Sequence, residues 1–246
     1  MNSYVETLRL RACNCDMSGR WRPSAILEAM QESAGGDCAR LGLPRAATDA
    51  MGIVWVASRY RVELRRAPGI NEELSVETYA MAPRHLFYPR MYVFRDAGGG
   101  IVGGAHSMWL LMDVGTRRAV MGGEALSRLP DNADAVPPVA APGTVRTLGV
   151  EPEVRALSPQ YCDFDLNGHV NNTRYLDWCC NALGLETLGE RYIAGFDINY
   201  DAEVRPGAQL RTELARDGER FTFCGFTESR RAFAISGTLQ PQTQRV

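Results

Sequence analysis

The densest run of chemically capable side chains is Asp163-Phe-Asp165-Leu-Asn167-Gly-His169-Val-Asn171-Asn172. Asp165, Asn167 and His169 recur at every second residue. In an extended segment that spacing turns an acid, an amide and an imidazole to one side, with Leu166, Gly168 and Val170 on the packing side. An imidazole beside a carboxylate suits proton transfer. A helical pattern follows directly, and free backbone N–H groups at a helix start favour developing negative charge. Asn and Asp before a helix also act as caps, and Asn-Gly marks turns. Asn171 and Asn172 read first as such local hydrogen-bonding groups. Three different functional side chains in strict alternation exceed what capping requires. A second acid, Glu203, stands in Tyr200-Asp-Ala-Glu203-Val-Arg-Pro-Gly, near a strand end. Alone it reads as a solvated charge; beside the trio it becomes a candidate.

These residues need a helix and strands to position them. Asn171–Leu185 carries Tyr175, Leu176, Trp178, Cys179 and Leu183 at helical spacing, and strand-like runs follow at 192–201, 208–216, 219–228 and 231–239. The first half has the same order. A strand-like stretch at 4–12 precedes a helix from Pro23 to Leu41 bearing Ile26, Leu27, Met30 and Ala34. A loop at 42–52 leads to strand-like runs Ile53–Leu64, Glu73–Met81, His85–Arg95 and Ile101–Met112. Residues 127–150, rich in Pro, Ala, Asp and Gly, show no periodicity and read as a linker. The expected division is a module over 1–126, the linker, and a module over 151–246.

The halves also match residue by residue. The shift that lays Cys13 on Cys162 lays Asp16-Met-Ser18-Gly-Arg20 on Asp165-Leu-Asn167-Gly-His169. A shorter shift lays Pro68-Gly69 on Pro206-Gly207 and Arg65 on Glu203. The first copy thus keeps the turn but lacks the base, and Asp16 reads as structural.

Composition excludes other chemistries. All 27 basic residues are Arg, so no Schiff-base or P-loop lysine exists. Net charge is −2, which does not suggest nucleic acid. Seven Cys and three His, with no CxxC pair, argue against zinc and for free thiols in a reducing cytoplasm. No apolar run reaches the ~20 residues of a membrane span, and the N-terminus does not read as a signal peptide.

At this point a family resemblance appears. The string Asp165-Leu-Asn-Gly-His169-Val-Asn-Asn-x-x-Tyr175-x-x-Trp178 resembles the signature of the acyl-ACP thioesterases. Tyr200-x-x-Glu203 resembles that family's second motif. In the first half, Trp55-x-x-Ser58-Arg59-Tyr60 and Ser107-x-Trp109-x-x-Met112-Asp113-x-x-Thr116-Arg117-Arg118 are similar too. The resemblance implies an α+β fold of two tandem hot-dog modules, each a long helix packed on an antiparallel sheet. It implies hydrolysis of fatty acyl-acyl carrier protein to free fatty acid and holo-carrier, with Asp165, Asn167, His169 and Glu203 catalytic and no metal or organic cofactor. Asn171, Asn172 and Arg174 become substrate-binding candidates, with Arg174 and Arg205 on a rim for an acidic carrier. Met30, Trp55 and Trp109 would line an acyl pocket in the first module, though each is also an ordinary core residue. Family members often carry Cys after the second-motif Glu; here it is Val204, so a Cys-His scheme cannot operate through that position. Cys162, Cys179 and Cys180 read as packing residues. An acyl- or aroyl-CoA thioesterase and a non-catalytic acyl-thioester binding module stay open, as do a monomer and a homodimer.

Overall fold

The apolar spacing after residue 22 becomes helix α1, Pro23–Arg40, in a computed structural model that describes residues 1–121, 123, 127–228 and 230–242. The expected module ends at 126 and 246 lie outside the described residues. Pro23 occupies the first helical position, where its missing N–H is no loss. Ile26, Leu27, Met30 and Ala34 are buried along one face. Asp37 is buried on the same helix, held by Arg40 and by Arg90, whose Nη1 lies 2.8 Å from Asp37 Oδ2.

The remaining elements, in chain order, are β1 (Tyr4–Arg9) before α1, then α2 (Arg45–Ala50), β2 (Ile53–Leu64), β3 (Glu73–Ala80), β4 (Phe87–Asp96) and β5 (Ile101–Asp113). The second half gives β6 (Glu153–Leu157), α3 (Arg174–Glu190), β7 (Arg191–Tyr200), β8 (Leu210–Asp217), β9 (Arg220–Phe226) and β10 (Arg231–Pro241). The 42–52 loop therefore contains a short helix, too brief to show periodicity. Helix α3 starts three residues later than expected, because Asn171 Oδ1 accepts the Thr173 N–H and holds a turn first. It also runs past Leu185 by breaking at Gly184, whose φ of 83° few other residues tolerate.

The strands form one sheet in the order β1-β3-β4-β5-β2-β7-β10-β9-β8-β6. Read from each edge inward, corresponding strands of the two copies occupy corresponding places, so the halves are related by a pseudo-two-fold at the β2–β7 seam. There Arg59 to Glu63 pair antiparallel with Asn199 to Gly195, and Arg61 forms a two-pronged ion pair with Asp197 at 3.0 Å. Both helices contribute to a single apolar core. They meet where Ser24 Oγ donates to Asp177 and Arg174 bridges Asp177 and Glu28.

The expected linker is a packed strap across the opposite sheet face. Tyr79 Oη donates to Val136 O, Val145 N donates to Asn199 Oδ1, and Val139 and Val145 are buried. A Cβ at Gly104 would stand 3.0 Å from Pro138 and from the Tyr92 carbonyl oxygen, so a larger residue would press on the strap. Beneath it His106 is buried, and neither ring nitrogen has a hydrogen-bond partner among the described residues.

Candidate active site

Asp165 to His169 form a tight turn, not the extended run that alternation suggested. Asp165 N donates to His169 O, Gly168 N returns to Asp165 O, and Gly168 takes φ 73°. Asp165 Oδ1 accepts the Asn167 N–H at 2.8 Å. Leu166 is consequently 92% exposed and Gly168 is also at the surface; only Val170 packs inward. The correction has a local cause: a carboxylate two residues before an amide, followed by Gly, favours closure of the turn over extension.

The first copy repeats this turn bond for bond. Asp16 N donates to Arg20 O, Gly19 N to Asp16 O, and Ser18 N to Asp16 Oδ1 at 2.9 Å. Cys15 bridges Trp21 as Phe164 bridges Val170. Arg20, where the second copy has His169, is buried and donates to Asp16, Arg191 O and Leu188 O. It braces the turn against the end of α3. In the second copy His169 stays half-exposed, with Nδ1 3.2 Å from Val170 O, which favours Nε2 as the basic nitrogen.

Glu203 is brought to this turn by the backbone. Val170 N donates to Val204 O at 2.9 Å, so the residues before each, His169 and Glu203, share one neighbourhood. The equivalent bond in the first copy runs from Trp21 N to Pro68 O, which makes Ala67 rather than Arg65 the counterpart of Glu203. Glu203 Oε1 accepts from Arg117 Nη2 at 2.5 Å and Oε2 from Arg205 Nη2 at 2.9 Å. Partial burial alone would push its pKa up. The hydrogen bonds from Arg205 and Arg117, with the charges of Arg117 and His169, outweigh this and hold it below the usual carboxylate range. Burial also raises the Tyr175 phenol; a Val204 backbone bond opposes this, and the Glu203 and Asp165 charges add to it.

Asn171 and Asn172 border the site. Asn171 Nδ2 reaches Asp165 Oδ2 at 3.4 Å, while its own N–H is committed to Asp163 O. That amide and the Thr173 amide are therefore not free to hold an oxyanion. Asn172 Nδ2 reaches Tyr60 Oη at 3.4 Å. Arg174 lies between the helices in its ion pairs with Glu28 and Asp177 and is not joined to the Asp165 turn. Met30 is fully buried under the first half of the sheet. Trp55 packs edge-on to Tyr88, which pairs in register with Trp109; Trp109 in turn meets Tyr60 at 5.8 Å. Tyr60 touches Tyr200, and Tyr200 touches Tyr175. An aromatic path thus runs from the first module to the Asp165 turn. Cys179 is buried and Cys180 half-buried, with burial raising both thiols, Cys180 to about 12. Cys162, expected to pack, is exposed.

Two site residues were missed as such in the sequence. Arg117, from the turn after β5, and Arg45, at the start of α2, both cross from the first half. Arg45 Nη2 donates to Asn167 Oδ1 at 2.9 Å. Neither had a signal beyond the default of a solvated Arg, although Arg117 lay within a matched motif.

One sheet with two long helices on its inner face, and a polar turn present in each half, defines a tandem hot-dog protein. The family model for the acyl-ACP thioesterase N-terminal domain matches residues 1–124, and that for the C-terminal domain matches residues 149–230. The chain belongs to the acyl-ACP thioesterase family. A chloroplastic acyl-[acyl-carrier-protein] hydrolase of Cuphea viscosissima is 24% identical over 237 residues, covering 87% of this chain and 55% of that protein. The chloroplastic oleoyl-acyl carrier protein thioesterase of Coriandrum sativum is 24% identical over 227 residues, covering 82% and 60%. The chain thus spans little more than half the length of these relatives. An acyl-ACP thioesterase of Bacteroides thetaiotaomicron has the same fold, with TM-score 0.88, 23% identity and coverage of 97% and 98%. So does the 12:0-ACP thioesterase of Umbellularia californica, at TM-score 0.85, 19% identity and 98% of both chains.

Proposed function

We propose that this protein hydrolyses fatty acyl-acyl carrier protein to free fatty acid and holo-carrier. The observation that supports the reading is the Val170–Val204 backbone bond, which joins the segment carrying His169 to the one carrying Glu203. Glu203 holds a water by accepting its hydrogen bond, and His169 Nε2 takes the water's proton as the oxygen attacks the thioester carbon. Asn167, its Oδ1 held by Arg45 and one hydrogen of its Nδ2 donated to Asp165 Oδ2, offers the other to the carbonyl oxygen. The C–S bond then breaks, and the leaving sulfur takes the proton from His169. Asp165 makes the same turn bond as Asp16 in the copy without a base, which supports a turn-holding role over direct attack. Asn171 and Asn172 shape the wall, and the Trp55, Met30 and Trp109 region receives the acyl chain. Arg205, exposed beside Glu203, is the basic group that an acidic carrier would meet, whereas Arg174 is engaged by Glu28 and Asp177. Among the described residues no helix is long and apolar enough to cross a membrane. Thiols such as those of Cys179 and Cys224 suit a reducing compartment, which we take to be the cytoplasm.

The test is thiol release from matched acyl-carrier-protein and acyl-CoA thioesters, wild type beside Glu203→Ala. Faster turnover of the carrier-protein thioester and a loss of ~10²–10⁴-fold in the variant are expected. Faster turnover of CoA thioesters would move the substrate to the CoA class and leave the site standing. No hydrolysis of either would favour a non-catalytic binding module. Single turnover in heavy-oxygen water adds a second check, since label in the Asp165 carboxylate would sink the attacking-water scheme.

A further inference from the structure

The catalytic turn and Glu203 belong to the second half of the chain, yet two of their polar partners come from the first. Arg45 holds Asn167, and Arg117 holds Glu203. Arg117 is not a side chain that happened to fall nearby. Its backbone sits at φ 55°, a left-handed conformation uncommon for a residue with a Cβ. The turn that imposes it is tied from three directions: Thr116 N and Oγ1 donate to Asp113 Oδ1 at 2.7 and 2.8 Å, and Arg117 N donates to Asp113 O at 2.9 Å. A strained, over-determined turn at the end of β5 aims one guanidinium across the seam.

We infer that Arg117 is a positioning residue for the hydrolysis proposed above: it fixes Glu203 Oε1 from the first half of the chain, so that the site in the second module is incomplete without the first. Four other groups bear on the Glu203 carboxylate or its surroundings: Arg205 from its own segment, His169 from the turn, Tyr175 from α3 and, through Tyr175, Asp165. Of the two arginines, Arg205 is the more exposed, at 64% against 52%, and lies only two residues away on the same segment. Among the described residues Arg117 alone ties the carboxylate to the other half. An ionised Glu203 accepts a hydrogen bond from the water and stabilises the imidazolium that forms at His169. A protonated Glu203 does neither. Removing Arg117 takes away a hydrogen bond and a positive charge that both favour the carboxylate, so the proton affinity of Glu203 rises.

The experiment compares wild type, Arg117→Ala and Arg117→Lys on one acyl-carrier-protein thioester across pH, with thermal unfolding as a check that each is folded. Independently of turnover, the Glu203 carboxyl is titrated by carbon NMR with labelled glutamate, assigned through Glu203→Gln. In Arg117→Ala, kcat is expected to fall ~10–100-fold with KM changed less than ~3-fold, and the acid limb of the rate profile to move to higher pH. The Glu203 titration should move up in the same direction. Arg117→Lys, which keeps the charge and loses the fork, should recover part of the rate and return the limb toward wild type. An acid limb and a Glu203 titration that stay in place in folded Arg117→Ala would overturn the inference, as would a loss carried by KM alone. Because the inference rests on the thioesterase reading, a wild type inactive on every thioester would overturn both. A normal wild type with an unmoved titration overturns only this one.

Discussion

His106→Leu should flatten the acid side of the stability curve. His106 stands in register between Arg61 on β2 and Met91 on β4, beneath the strap. Burial pulls its pKa from 6.5 down to about 4. The Val139 backbone pushes the other way, and the charges of Arg84 and Arg61 add to the depression. Between those two pH values the unfolded chain binds a proton that the folded chain refuses. Stability is therefore lost as pH falls from 6.5 toward 4, and no more is lost through this group below that. Each tenfold difference in proton affinity corresponds to ~1.4 kcal/mol, so the loss is about 2 kcal/mol by pH 5 and about 3 kcal/mol below pH 4. Leucine cannot bind the proton, so this component vanishes. The substitution also removes two buried nitrogens without partners, each of which can be worth about 1–3 kcal/mol. Urea unfolding of both proteins at pH 7.5 and pH 5 measures the difference directly, since every other titrating group is common to the two. The His106→Leu variant should be at least as stable as wild type at pH 7.5 and clearly more stable at pH 5. Equal losses in the two proteins between these pH values would refute the reasoning and show that the imidazole is charged or solvated beneath the strap.

Two further outcomes concern buried charges. Arg20→Ala should destabilise by about 2–6 kcal/mol in urea unfolding, because it leaves the Leu188 and Arg191 carbonyls without their donor at the end of α3; a change under ~1 kcal/mol would show that water replaces the guanidinium. Asp37→Asn should cost about 3–5 kcal/mol by stranding the buried Arg90, whereas Asp37→Leu combined with Arg90→Met should regain most of that loss. A double variant no more stable than the single would contradict the account.

Much of the fold was legible because most elements follow one period each. Strand β2 spans the strand-like run Ile53–Leu64, and α1 buries the face its spacing marked. The turn was misread for a specific reason: Asp165-Leu-Asn-Gly-His has the period of a strand, but Gly168 and the Asp165 carboxylate close it on itself. The strap was legible only as a lack of pattern. Its residues are fixed one at a time by Tyr79, Asn199 and the bare surface of Gly104, and such individual bonds have no period to detect. Arg45 and Arg117 were obscure because their partners lie far off in sequence, and nothing local distinguishes a guanidinium that will meet Asn167 or Glu203 from one left in water.

The internal duplication also separates what the turn needs from what catalysis needs. In both copies an Asp accepts the N–H two residues on, at 2.9 Å in one and 2.8 Å in the other. That bond is a requirement of the fold, and the Asp alone cannot mark a working site. The copies diverge at the third and fifth positions of the turn, Ser18 against Asn167 and Arg20 against His169, and at the segment that faces it. Arg20, with Ala67 opposite, gives a brace; His169 and Glu203 give the pair to which the proposed function assigns the proton transfer. The pseudo-two-fold would allow two equivalent sites at opposite ends of the seam. In the first copy Arg20 is buried against the α3 carbonyls and fixes that turn to the second half of the chain. Arg45 and Arg117 cross in the other direction and complete the second-copy site. The side chain that braces one turn and the two that reach the other therefore all join the two halves of the chain.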